Sequence, residues 1–306
     1  MTNLGETQPV HPQGMDTFQP VPIERLGPGN SNFKRKHWRR LLWIFIMAPF
    51  LVYFFAPFRT NILFLGTDNN PVREARGDLG RTDTIILSTI VPLKPYVGML
   101  GIPRDLWLDL PGVGEQRINT AYFYAEVNQP GSGADATAEA VRKNFGVTVD
   151  YRLLLRMLEL VDVVDALGGV DLTLDEPMGG LPAGTHHLDG TQTLAFVRNR
   201  QSGDDFSRMK QGQLLIVAAA KKLLQPSNWS LIPEVWAAAG EAIDSDIPAW
   251  QWPRLGLALV RGILSGVDTR TLDREMVTPF TTGQGAQVLL PQWEAINPVL
   301  KEMFGE

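Results

Sequence analysis

The sequence predicts an α/β fold, a central sheet flanked by helices and set behind one apolar N-terminal helix. Three observations carry that prediction. Short β-branched apolar runs alternate along the chain with longer segments of helical spacing. Clusters of arginine and aspartate recur where the apolar runs end. One run near the N-terminus holds eighteen residues without a charge, close to the span of a bilayer.

Residues 1 to about 33 are rich in Pro, Gly, Gln and Asn and lack an apolar period, which predicts a disordered tail. "KRKHWRR" at 34–40 closes this cytoplasmic tail, 1–40, with a basic cluster. "LLWIFIMAPFLVYFFAPF", 41–58, then predicts a transmembrane helix, with Trp43, Tyr53 and the flanking arginines suited to the interface. The positive residues before it assign that side to the cytoplasm and residues 59–306 to the exterior. A buried core helix would rarely be apolar all round behind such a cluster. A cleaved signal peptide would have a shorter apolar run and a small-residue cleavage site, which "APFRTN" does not offer. Pro49 is tolerated in a membrane helix.

The exported part opens on "NILFLGTD", 61–68, a buried strand that ends in a polar loop. "TIILSTIV", 84–91, and "VGMLGI", 97–102, are two more strands joined by the turn "PLKP", and "IPRDLWLDLPG" leaves the second of them. "GADATAEAVRKNFG", 133–146, is an alanine-rich helix with a glycine stop. Tyr151, Leu153, Leu155 and Met157 alternate as in a strand, and "LVDVVDALGG" turns helical with Asp162 and Asp165 outward. "VDLTL" is a further strand. "LDGTQTLAFV", 188–197, reads as a helix capped by Asp189, and "DFSRMKQGQLLIVAAAKKLL", 205–224, as a long one that Asp205 is placed to cap. Residues 226–306 continue the alternation without a domain break.

Composition removes several chemistries. The 306 residues carry a net charge of −5, so no broad basic face argues for a nucleic-acid backbone as partner. The absence of cysteine excludes disulfides, thiolate metal sites and cysteine nucleophiles. Four histidines, two of them (His11 and His37) in the tail, argue against a histidine-rich metal centre. No P-loop, zincin, hydrolase-elbow or dinucleotide fingerprint is present. His186 and His187 read as a loop pair.

What remains is acidic and basic. Asp68 follows the first strand, Arg81 and Asp83 precede the second, and Arg104 and Asp105 follow the third. "FVRNRQSGDDFSR", 196–208, adds Arg198, Arg200 and Arg208 around Asp204 and Asp205. Each residue alone reads as one half of a surface ion pair. Gathered at one sheet edge, they suit a pyrophosphate chelating Mg²⁺, with hard carboxylate oxygens on the ion and guanidinium groups on the phosphates. Phosphoryl transfer needs this inventory and little else.

In order and spacing, "NILFLGTD", "RTDTIIL", "GIPRD", "RINTAY", "VDALGGVDL", "LDGTQTLAFVRNR" and "DDFSR" resemble the LytR–CpsA–Psr family over residues 60–225. The resemblance implies a central mixed sheet flanked by helices, enclosing a hydrophobic groove for a polyprenyl chain. It implies a single-pass bacterial membrane protein with a catalytic domain at 59–306. Its implied activity is a Mg²⁺- (or Mn²⁺-) dependent phosphotransferase, moving a glycopolymer from an undecaprenyl-pyrophosphate carrier to peptidoglycan. Asp83 and Asp68 would be metal ligands, and Arg81, Arg104, Arg198, Arg200 and Arg208 would bind the pyrophosphate. Asp205 and Arg208 match the family's D-x-x-R, and Asp105 follows the matched arginine of "PRD" as a further catalytic candidate. The family's next Arg-Gln reads Gln211–Gly212 here, with Lys210 and Gln213 beside it. Either Lys210 then supplies the missing charge or the grip is weaker, with Gln211 as the remaining contact. Two other functions fit the same residues: a polyprenyl or nucleotide pyrophosphatase, and a non-catalytic lipid-phosphate-binding wall protein.

Overall fold

The structure, a computed structural model, describes residues 31–55, 58–67, 80–199 and 205–305. Helix α1 (Ser31–Phe55) reaches back through the basic cluster expected to precede it, and it includes Pro49. Among the described residues no helix is long and apolar enough to cross a membrane. The expected span 41–58 includes residues 56 and 57, which lie outside the described residues, as do residues 1–30 of the expected tail. From Phe50 to the C-terminus the chain forms one compact unit.

That unit begins with β1 (Thr60–Thr67), β2 (Thr82–Val91) and β3 (Tyr96–Gly101). A hairpin of β4 (Trp107–Leu110) and β5 (Gly114–Arg117) follows, then α2 (Asn119–Asn128) and α3 (Gly133–Phe145). Next come β6 (Tyr151–Arg156), α4 (Leu160–Ala166) and the antiparallel pair β7 (Val170–Leu174) and β8 (Gly184–Leu188). After them lie α5 (Gly190–Arg198), the long α6 (Asp205–Leu224) and α7 (Ile232–Ala242). The last part holds β9 (Ile243–Ser245), α8 (Trp252–Ser265), β10 (Val267–Thr271), β11 (Val277–Thr281), β12 (Gln287–Pro291) and α9 (Trp293–Phe304).

The central sheet has the order β10-β3-β2-β1-β6-β9. β2 runs antiparallel to β1 and β3, while β6 and β10 run parallel to β1 and β3, so the sheet is mixed. Both faces are apolar because helices cover both. Leu63, Leu65, Ile85, Leu87 and Leu100 share one core with α2, α3 and α9. The alternate residues Ile62, Ile90 and Val97 pack against Leu255 and Ala258 of α8.

Local chemistry explains the helix ends nearest the site. α3 carries Asp135 in its first turn and Arg142 and Lys143 in its last, each favourable to the helix dipole, and stops at Gly146 with φ 69°. α5 starts on a reciprocal capping box. Asp189 accepts from the Gln192 amide at 2.7 Å, and the Gln192 side chain accepts from the Asp189 amide at 3.0 Å. Asp165 accepts from the Gly190 amide at 2.7 Å, and a Cβ at Gly190 would collide with the Val161 carbonyl oxygen. A glycine is therefore required where α4 meets α5.

α6 keeps the expected bounds, 205–224, and the expected cap at Asp205 lies outside the described side chains. One detail differs from expectation, the placement of the histidine pair: His186 and His187 lie in β8, not in a loop. "RINTAY" opens a helix, with Asn119, Thr120, Ala121 and Tyr122 buried in its first turn.

Candidate active site

β2 enters the sheet where β1 and β3 leave it. Thr67 at the end of β1 pairs with Thr82, and Gly101 at the end of β3 pairs with Ile86. Antiparallel pairing therefore carries the residues after β3 back to those that open β2. Arg104 donates from Nη1 to Asp83 Oδ1 at 2.6 Å, a charge-assisted bond between half-buried side chains. Arg104 Nε lies 3.5 Å from Asp105 Oδ2, and Arg117 Nε lies 3.4 Å from Asp105 Oδ1. Two carboxylates and two guanidinium groups thus interlock at one sheet edge. Arg81 is exposed, its guanidinium carbon 5.7 Å from the Phe123 ring centroid on α2.

The surrounding backbone fixes this cluster. The Arg104 carbonyl accepts from the Asn119 amide at 3.2 Å, tying it to the start of α2. The Asp105 carbonyl accepts from the Leu289 amide at 3.0 Å, and Arg117 Nη2 donates to the Gln287 carbonyl at 2.7 Å. The C-terminal part of the chain therefore braces the site through β12. Arg117 and Phe123 were not singled out by sequence reasoning. The signal for Arg117 was present, since it opens the "RINTAY" segment, whereas Phe123 looks like any helical aromatic.

Behind the edge lies an apolar cavity of about 210 Å³. Phe64 and Leu65 of β1, Ile86 of β2, Leu153 and Leu155 of β6 and Leu160 and Val164 of α4 line it. α6 closes it with Arg208, Gly212, Leu215, Ile216 and Ala219, the positions that share one helix face. Gly66, Thr84 and Arg208 bring its lining to the residues that flank Asp83. Arg198 ends α5, exposed, and Val197 before it lines the same cavity. A guanidinium group thus borders an otherwise hydrocarbon-like space.

The segment after Arg208 divides between two surfaces. Gly212 faces the cavity, where a Cβ would lie 3.4 Å from Thr84 Cγ2 and 3.5 Å from Ile86 Cδ1. Gln211 is fully buried, and among the described residues neither of its amide atoms has a hydrogen-bond partner. Gln213 donates to the Met99 and Arg270 carbonyls at 3.1 and 2.7 Å, bound to the sheet rather than to the edge. Lys210 lines a separate groove on the other side of α6, away from the apolar cavity. Asp68 and Arg200 lie outside the described residues, as does the side chain of Asp205.

Among the described residues no group of three metal-type side chains occurs. Of the two carboxylates expected to hold magnesium, Asp83 stands at the edge beside Asp105, and Asp68 lies outside the described residues. That ion is commonly held by one or two carboxylates, with waters and substrate phosphates completing its shell. Buried hydroxyls of Thr67 and Thr82, without partners among the described residues, add oxygen donors at the same strand ends. Chemically, the arrangement can hold an amphiphile by both parts, an anionic group on the arginines and an apolar chain in the cavity.

A mixed α/β sheet with interlocked arginine–aspartate pairs at one edge and an apolar cavity under α6 defines the architecture of the domain. The sequence profile of the LytR_cpsA_psr family matches residues 58–303, and the chain belongs to that family. It is 33% identical over 193 residues to a polyisoprenyl-teichoic acid–peptidoglycan teichoic acid transferase, TagU, of Oceanobacillus iheyensis. That match covers 61% of this chain and 58% of the relative, so the chain spans about three fifths of the curated relatives' length. The crystal structure of B. subtilis TagV superposes with a TM-score of 0.64 at 23% identity, covering 81% of this chain and 98% of TagV. TagT bound to LIIa-WTA gives 0.62 at 23%, covering 81% and 91%. At these identities the structural likeness is one of fold.

Proposed function

We propose that this protein is a glycopolymer phosphotransferase, moving a polymer from an undecaprenyl-pyrophosphate carrier to peptidoglycan. The observation that carries the reading is Arg208, which lines an apolar cavity together with Thr84, the residue after Asp83 of the Asp83–Arg104 pair. An enzyme of lipid-linked pyrophosphates needs that juxtaposition, and a soluble-substrate phosphatase does not. The TagU relative, a polyisoprenyl-teichoic acid–peptidoglycan teichoic acid transferase by name, supports the same donor and acceptor classes.

In this reading the prenyl chain occupies the cavity and the pyrophosphate lies against Arg81, Arg104, Arg198, Arg200 and Arg208. A peptidoglycan hydroxyl attacks the phosphorus on the sugar side. The new P–O bond forms as the bridging P–O bond to the lipid phosphate breaks, and the hydroxyl proton passes to a carboxylate at the edge. The products are a phosphodiester-linked polymer and polyprenyl phosphate. Arg104 holds Asp83 in place, while Arg117 and the Leu289 amide hold Asp105, so both carboxylates are pre-oriented. A magnesium or manganese ion held by Asp83 and Asp68 would supply neutralisation of phosphate charge. A membrane location, with α1 as the anchor, completes the proposal, since it keeps the domain beside its lipid-borne donor.

The test uses the full chain with a polyprenyl-pyrophosphate glycolipid, with Mg²⁺ or with EDTA. Asp83→Ala is expected to lose on the order of 10²–10⁴ in turnover, the range for a positioned acid–base group. Release of polyprenyl phosphate together with a glycan–phosphate–peptidoglycan product supports transfer, and release without that product means hydrolysis. Tight lipid binding with no turnover in the wild type would sink the enzymatic reading.

A further inference from the structure

Folded domains keep large apolar side chains off their surface unless something covers them. Here three tryptophans, Trp229, Trp236 and Trp250, are each about 60% exposed. They belong to neighbouring elements. Trp229 sits in the 3₁₀ turn before α7, Trp236 in α7 and Trp250 in the 3₁₀ turn before α8. On α7 the i, i+4 pair Ile232 and Trp236 faces outward, while Val235 and Ala242 face the core.

Ring contacts tie two of these tryptophans to further aromatic residues. Trp236 meets Trp252 edge-on at 5.3 Å, and Trp250 lies 6.4 Å from Tyr53. Tyr53 also packs on Phe54 at 4.8 Å, and its hydroxyl donates to the Trp250 carbonyl. Arg254, itself buried, donates to the Phe58 carbonyl at 2.8 Å, fixing the chain between α1 and β1 against the start of α8. Trp250 is therefore tied to the last turn of the apolar helix. The two tryptophan-bearing loops, "PSNWSLIP" at 226–233 and "IPAWQWP" at 247–253, hold no charged residue.

We infer that this aromatic surface seats the domain on a lipid bilayer. Tryptophan and tyrosine rings, apolar in body with a polar N–H or O–H, settle at the headgroup level, where both needs are met. Exposed Glu234 and Asp246 flank these loops in sequence, so the uncharged stretch is confined to the tryptophan-bearing segments themselves. The seat also gives the cavity an orientation. α7 runs directly into Ile243, which lines the apolar cavity, so one element spans from the seat to the lipid chain's proposed site. The inference rests on the donor being membrane-borne.

Because the chain has no cysteine, single labels can be placed without background. The full chain, as Trp236→Cys, Trp250→Cys or Val127→Cys, is reconstituted into phosphatidylethanolamine–phosphatidylglycerol nanodiscs and labelled with a nitroxide. Val127 is exposed on α2, on the opposite helical layer, and serves as the water-facing reference. Labels at 236 and 250 are expected to collide preferentially with dissolved oxygen and to be shielded from a water-soluble nickel chelate, with the reverse at 127. Equal access of the chelate to all three sites overturns the seat. Donor cleavage measured on the same nanodiscs separates the two claims. Immersed labels without cleavage would retain the seat and remove the transferase reading, and cleavage with water-exposed labels would do the opposite.

Discussion

The two sides of α6 form surfaces of different character from one run of sequence. One side presents Arg208, Gly212, Leu215, Ile216 and Ala219 to an apolar cavity of about 210 Å³. The other presents Lys210, Gln213, Leu214, Val217 and Lys221 to a groove of about 560 Å³, across from Asp175, Glu176 and the threonines of β10. The larger space mixes charged and apolar lining, and the smaller one is hydrocarbon-like. What separates them is helical period: residues three and four apart share a face, so a shift of two positions, from 208 to 210, changes the surroundings of a cation entirely. Lys210 thus lines a different space from Arg208, although only two positions separate them.

Filling the apolar side should have the largest effect. Gly212→Trp puts a ring where the cavity narrows toward Thr84 and Ile86, and should cost on the order of 10²-fold in donor cleavage through misplacement of the lipid. Gly212→Ala sharpens the point. Its Cβ meets only ordinary contacts, so it should keep activity and add up to ~1 kcal/mol to stability through helix propensity. Retained turnover in the tryptophan variant, with retained fold by circular dichroism, would detach the cavity from catalysis.

Gln211 sits between the two surfaces and tests the divide. Its amide is buried without partners among the described residues, so Gln211→Leu should be neutral or stabilising by roughly 1 kcal/mol in a denaturant melt. Loss of turnover at unchanged stability would mean that the amide reaches the phosphate after all. On the groove side, Lys210→Ala should leave donor cleavage unchanged, and a clear drop there would erase the distinction between the faces.

Much of the edge was legible in the sequence because it follows from strand ends. "NILFLG", "TDTIILSTIV" and "VGMLGIPRD" are short, β-branched and closely spaced, so neighbouring strands had to bring Asp83 and Arg104 together. The cavity was not legible. Phe64, Leu153, Met157 and Ile216 have the same composition whether they close on each other or leave a space, and periodicity reports a face, not a volume. The hairpin β4–β5 was hidden for a different reason: "LWLDLPGVGEQR" gives strands of only four residues, too short for a period. His186 and His187 looked like a loop because they follow "LPAGT", yet β8 forms there through its pairing with β7.

That same pairing gives the smallest expected effect, at the far end of α6 from the site. Asp171 of β7 contacts His187 of β8, its directly opposite partner, at 2.7 Å, and Lys222 near the end of α6 lies 3.9 Å from its other oxygen. The His187 hydrogen bond holds the Asp171 carboxyl below the usual carboxylate range. A carboxylate whose value is lowered on folding contributes stability above its unfolded value of about 3.9, and that stability fades as pH falls toward the lower, folded value. Both side chains are more than half exposed, so the pair should be worth at most about 0.5 kcal/mol at neutral pH. His187→Ala should therefore barely move a melt at pH 7, make the acid limb below about pH 4 slightly less steep, and leave donor cleavage untouched. An activity loss in this variant would mean that the β7–β8 pair communicates with the cavity through α6, and the two ends of the helix could no longer be treated as independent.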